Sequence, residues 1–165
     1  MGHMSSTPEP TQTLAPLTRD RVTAALDARG MSYGFDEDGD VGGLWDGHLF
    51  YFFVNGDDDT VYLQVRGRWN RAVDPTEEDA LVRTVNAWNT ETIWPKAYVR
   101  VEDGVVNVHT EHTVDYSAGV SDAQVDLHLG CGVSTSLQLF RRLDQQYPEQ
   151  AAAAKAETER LRAQA

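Results

Sequence analysis

Few residues of this chain have the types and spacing that chemistry needs. Asp36, Asp38 and Asp40 stand at the first, third and fifth positions of a calcium loop. The sixth position is Val41 where an EF-hand requires glycine, and the twelfth is Gly47 where it requires glutamate. Asp57, Asp58 and Asp59 form a second acidic cluster. If residues 41–54 make one strand, the clusters lie roughly 40 Å apart and share no ion. A turn at Asp46-Gly47 would bring them to one edge, but a bulge there is the favoured reading. Solvated turn carboxylates are the expectation, and no metal.

His128 and Cys131 are three apart, as a base and a nucleophile on one helical face would be. Two glycines flank the cysteine, and nothing is placed to orient the imidazole or to build an oxyanion hole. A small buried helix residue is the default for Cys131. His109 and His112 are also three apart, but on a strand they point to opposite faces, which suits no zinc site. No helix follows Gly42-Gly43, so it is no phosphate loop, and Ser134 to Ser136 lacks a nucleophile elbow. The chain is read as non-enzymatic, with no catalytic residue and no cofactor.

Aromatic and arginine residues are the better candidates, because Trp, Tyr and Arg dominate interface energetics. The stretch Leu49-Phe-Tyr-Phe-Phe-Val54 is apolar at every position. Successive strand residues point to opposite faces, so Phe50, Phe52 and Val54 share one face, and Leu49, Tyr51 and Phe53 the other. A half-buried strand alternates with polar residues; this one wants cover on both faces, from its own helices or a partner. The next strand puts Val61, Leu63 and Val65 inward and Tyr62, Gln64, Arg66 and Arg68 outward. Tyr98 and Arg100 repeat that outward pattern, and Trp69 and Trp94 flank the middle helix as partly exposed anchors. The candidate partner-binding residues are therefore Leu49, Tyr51, Phe53, Tyr62, Arg66, Arg68, Trp69, Trp94, Tyr98 and Arg100. The plain alternative is that these arginines pair with surface carboxylates, each pair being worth little.

The elements that must position these residues follow from local signals. Thr18 caps a helix with Val22, Ala25 and Leu26 on one face, ended by Gly30. Strands are expected over 31–37, 41–54 and 60–68. Asp74-Pro75-Thr76-Glu77 reads as a capping box for a helix carrying Leu81, Val85 and Trp88, whose Asn86 and Asn89 have a structural role. Residues 96–102 and 105–113 form a hairpin about Asp103-Gly104. Ser121 to Gln124 is a second capping box, and Val125, Leu129, Val133, Leu137, Phe140 and Leu143 make a clean apolar stripe behind it. Gly130 and Gly132 interrupt that helix and call for close approach of a neighbour. The order is α-β-β-β-α-β-β-α, an α+β fold in which helices cover an antiparallel sheet.

The ends stand apart. Met1-Gly-His-Met4 has the look of a cloning scar, and residues 1–16 read as a disordered tail poor in apolar side chains. Residues 17–148 form one domain, and 149–165 an Ala-rich frayed helix or disordered tail. The 165 residues carry a net charge of −12. Eight acidic residues and no Lys or Arg lie between Asp36 and Asp59, a surface that repels nucleic acid and anionic lipid. One cysteine, no secretory signal and no apolar run long enough to span a bilayer point to the cytoplasm.

Gly30-Met31 with Tyr33, Asp36 to Asp40, Gly67-Arg68-Trp69, Asn86-Ala-Trp88-Asn89, Trp94 to Arg100 and Gly119 to Asp122 occur in an order and spacing that resemble the YbjN family of bacterial proteins, its actinobacterial branch in particular. The likeness spans about Leu17 to Pro148. It implies a fold similar to type III secretion chaperones, a role in sensory-transduction or stress regulation, frequent homodimers, and no established activity or site residues. The expected function is a regulatory or chaperone-like protein that binds protein segments. A small-molecule sensor with a pocket between sheet and helices is the alternative.

Overall fold

In the computed structural model, which describes residues 13–57 and 59–164, Asp46 and Gly47 both take left-handed conformations, with φ of 52° and 77°. Trp45 pairs directly with His48 across them. This is a two-residue hairpin turn, because two consecutive positive-φ residues reverse the chain with the twist that flanking strands need. The bulge expected here is therefore corrected, and residues 41–54 supply two strands: β2 (Val41–Trp45) and β3 (His48–Gly56). The preceding strand, β1, shrinks to Gly34–Phe35. Asp36 Oδ1 accepts from the backbone N–H of Asp38 and of Asp40, which bends the chain out of the sheet.

Strand β4 (Val61–Arg68) follows, then β5 (Lys96–Glu102) and β6 (Val105–Asp115), joined at Asp103-Gly104 by the hairpin turn the sequence signals. All neighbours are antiparallel, in the order β1-β2-β3-β4-β6-β5. The helices are α1 (Arg19–Ala28), α2 (Glu78–Glu91), α3 (Asp122–Gln146) and α4 (Pro148–Ala163). The fold class is α+β as expected, with one strand and one helix more than the sequence count.

Local signals start the helices. Thr18 Oγ1 accepts from Arg21 N–H, and the Ser121–Gln124 capping box closes in both directions. Asp74 caps a 3₁₀ turn over Pro75–Glu77 that leads into α2. Glu77 does not complete the expected box; its Oε2 accepts instead from the Tyr147 hydroxyl at 3.0 Å. The expected disorder of residues 1–12 lies outside the described residues. Ala15 and Val120 exchange backbone hydrogen bonds at 3.2 and 2.9 Å, so the disorder expected up to residue 16 does not extend to Ala15.

Helices α1, α2 and α3 cover one face of the sheet. Phe50, Phe52, Leu63, Val65, Val106 and Val108 are buried there against Val22, Leu26, Leu81, Val85, Leu129, Leu139, Phe140 and Leu143. Gly132 is where α3 meets the sheet, since a Cβ on it would lie 2.6 Å from that of Val65. Asn89 braces the outer edge of β5, donating to the Ala97 carbonyl at 2.9 Å and accepting from its N–H at 3.0 Å. Helix α4 buries no side chain.

Candidate functional site: the open face of the sheet

The register across the sheet brings together the side chains that face away from the helices. Residues directly opposite on neighbouring strands share a face. One row runs Leu44, Leu49, Arg68, His109, Tyr98. The next runs Tyr51, Arg66, Glu111, Lys96, and a third Phe53, Gln64, Thr113. Tyr62 lies opposite Asp115, and Arg100 opposite Asn107. Of the ten residues singled out in the sequence, eight are thus on one surface: Leu49, Tyr51, Phe53, Tyr62, Arg66, Arg68, Tyr98 and Arg100.

The two tryptophans are elsewhere. Trp69, expected as a partly exposed anchor, is fully buried, and this corrects that reading. Its Nε1–H donates to Asp144 Oδ1 at 2.7 Å and its ring packs on Tyr147. Trp94 is half-exposed, but its ring meets His112 edge-on with centroids 5.5 Å apart, and His112 points to the helix side. Neither joins the open face.

Among the described residues no helix covers that face, so the second cover that β3 calls for is incomplete there. Leu49, Tyr51 and Phe53 are half-buried, where Phe50 and Phe52 on the other side are sealed. Partial shelter comes from within the face. The rings of Tyr51 and Phe53 stack at 5.4 Å, and the Arg66 guanidinium lies 5.3 Å above Phe53. Leu44, paired with Leu49, is 63% exposed.

Glu111 organises the charged side of the surface. It takes ion pairs from Arg66 at 3.1 Å and Lys96 at 2.5 Å, and a hydrogen bond from the Tyr98 hydroxyl at 2.7 Å. Burial pushes its carboxyl up, but Lys96, Tyr98 and Arg66 together outweigh that and hold it below its ordinary value. Tyr98 is pushed up to about 12, by burial and then by its bond to Glu111. The Tyr98 ring stacks on His109, whose imidazole pKa is lowered chiefly by burial. Glu102 lies 3.5 Å from His109 Nε2 without completing a hydrogen bond, so both ring nitrogens stay unpartnered. The Nε atoms of Arg66 and Arg68 are buried without a partner as well. Glu111, Lys96 and His109 escaped the sequence reading of this surface. Alternation along β6 marks His109 and Glu111 as face-mates, but only the β4–β6 register reveals their partners.

Two polar clusters lie under the helices. His48, Arg71 and Asp144 sit with Trp69 at the end of β3. Arg71 forks onto Asp144 at 3.0 and 2.8 Å, and His48 Nδ1 accepts from the Asn70 N–H at 3.1 Å. Burial, then the Arg71 charge, lowers His48 to about 4. The second cluster is His112 Nε2 against His128 Nδ1 at 2.9 Å, between β6 and α3. His128 thus faces another imidazole, while burial raises the Cys131 thiol, the reverse of what a nucleophile needs. His109 and His112 lie on opposite sheet faces, as their spacing on a strand requires.

The β2–β3 turn brings Asp36, Asp38 and Asp40 to the same end of the sheet as Asp57. Asp36 and Asp57 spend a carboxylate oxygen on their own turns. Among the described residues no three metal-ligating side chains converge. A surface cleft of about 530 Å³ runs between α1 and α3, floored by Ala24 and Ala25, with its rim charges paired as Arg21 with Asp122.

A family model named YbjN, described as "Putative bacterial sensory transduction regulator", matches residues 18–145. Among solved structures, "YbjN, a putative transcription regulator from E. coli" is similar at a TM-score of 0.65 and 15% identity, over 82% of this chain and 97% of that one. At that identity the likeness concerns the fold alone. No curated protein matches the sequence significantly.

Proposed function

The chain belongs to the YbjN family, and from that premise we propose a non-enzymatic, regulatory or chaperone-like protein whose open sheet face binds extended protein segments. The observation that carries this reading is the asymmetry of β3. One side is sealed under helices, and the other leaves Leu49, Tyr51 and Phe53 only partly buried beside exposed Leu44, in a surface that also carries Arg, Tyr and His among its polar residues. Soluble folds leave large apolar strips uncovered chiefly where something docks, and these residue types concentrate binding energy. An extended segment fits the surface geometrically, because its alternate side chains can lie along the rows between strands.

The net charge of −12 argues for a protein partner over nucleic acid or anionic lipid. None of the described helices is long and apolar enough to cross a membrane. The cleft between α1 and α3 supports the small-molecule alternative less well, since most of its charged groups are already committed to ion pairs, Arg21 with Asp122 and Asp126 with Arg29.

The experiment is affinity capture from an extract of the source cells, comparing the wild-type chain with the double variant Tyr51→Ser, Phe53→Ser. Both positions lie outside the sealed core, so the variant is expected to keep its circular-dichroism spectrum and lose the captured proteins. A folded variant that captures the same proteins as wild type overturns the proposal.

A further inference from the structure

We propose that Arg68, with His109 beside it, anchors one carboxylate of the docked segment, so that the partner is acidic as well as apolar. This rests on the reading of the open face as a docking surface and goes further by naming the occupant's chemistry.

The cations of this face are unequally matched. Arg66 and Lys96 converge on Glu111, and Arg100 pairs with Glu102 at 3.3 Å. Arg68 forms no ion pair among the described residues, and its Nε is buried without a hydrogen-bond partner. Directly across the strand from it stands His109, which is 9% exposed and has both ring nitrogens unpartnered. Polar atoms withdrawn from water and left unpaired cost free energy, and native structures rarely keep them so. Here three such nitrogens adjoin one another, whereas the fourth on this face, Arg66 Nε, belongs to a guanidinium already engaged by Glu111 and Gln64.

An incoming carboxylate can reach the guanidinium, since Arg68 is only partly buried, while the unpartnered Nε and imidazole nitrogens lie out of solvent beside it. A guanidinium offers it a fork of two parallel N–H donors, and the neighbouring imidazole offers a third once it carries a proton on that side. One unpaired guanidinium on a face that also carries Glu102 and Glu111 matches a single negative charge and not the repeated phosphates of a nucleic acid. The flanks are apolar: the Leu44–Leu49 pair lies on one side of Arg68 in its row, and the Tyr98 ring on the other. The complementary segment therefore carries an Asp or Glu between apolar side chains at strand spacing.

The test uses the full chain, ¹⁵N-labelled, and two synthetic peptides alternating leucine and threonine that differ only in a central glutamate or glutamine. Arginine Nε–H and histidine resonances are followed by NMR during titration. The glutamate peptide is expected to move the Arg68 and His109 signals and to bind about tenfold more tightly than its amide twin. In Arg68→Gln the two peptides converge to the weaker affinity, and Arg68→Lys recovers part of the difference. Equal affinity of the two peptides for wild type overturns the anchor while leaving the docking reading in place. Binding of neither peptide overturns both. The wild-type comparison decides the matter even if a variant does not fold.

Discussion

At the scale of residues, Asp144 joins the indole of Trp69 to the guanidinium of Arg71. It accepts from Trp69 Nε1 and from both arms of Arg71, whose side chain is only 9% exposed. Asp144→Ala leaves that guanidinium without its counter-charge and the indole without an acceptor. The expected loss is about 3 kcal/mol of unfolding free energy, measured by urea denaturation. A loss below about 1 kcal/mol would place the pair among the weak surface bridges. Of this cluster, alternation along the strand places only His48, on the same face as Phe50. Asp144 and Trp69 are 75 residues apart, and no local pattern joins a helix carboxylate to an indole at that separation. For that reason Trp69 read as an exposed anchor when it is a buried donor.

At the scale of elements, the two glycines of α3 separate propensity from packing. In an isolated helix, either Gly→Ala change stabilises by about 1 kcal/mol. A Cβ at Gly132 would come within 3 Å of three atoms of Val65, in a core with no slack. Gly132→Ala is therefore expected to destabilise by about 2 kcal/mol net. A Cβ at Gly130 meets only the guanidinium end of Arg29, which can swing aside. That substitution should be close to neutral, so the two thermal midpoints, compared in one experiment, test the packing argument directly. Close approach at these glycines was legible from their position in an otherwise good helix; which one touches the sheet was not. The Asp46-Gly47 pair shows a similar division. The dipeptide signals a turn or a bulge equally well, and the choice depends on whether residues 41–45 find 48–52 as a strand partner.

At the scale of the whole molecule, four histidines respond to acid together. His48, His109, His112 and His128 all have lowered pKa values, with burial the first cause in each. A depressed folded value means that the unfolded chain takes up the proton first, near pH 6.5. Their contribution is complete above that pH and is lost as pH falls toward the folded values, about 4 for His48. That group alone accounts for about 3 kcal/mol. Urea midpoints should accordingly fall between pH 7.5 and pH 5; an unchanged midpoint contradicts the burial of these rings. Below that window Glu111, also held low, adds a loss of the same sign.

What the sequence determined by itself were the features set by near neighbours: the cap residues, the hairpin at Asp103-Gly104, the apolar stripes of the helices, and the face that each strand residue shares. These depend on spacings of two to four residues, where backbone geometry alone dictates who lies beside whom. Tertiary structure decided which face of the sheet the helices cover, that Arg66 and Lys96 meet on Glu111, that His112 finds His128, and that Arg68 meets no carboxylate among the described residues. Each of these turns on strand register or helix docking between segments far apart in the chain. Register is set by the burial of a whole face at once. The docking surface is thus written in alternation along β3 and β4, but it becomes a site only when α1, α2 and α3 take the other side.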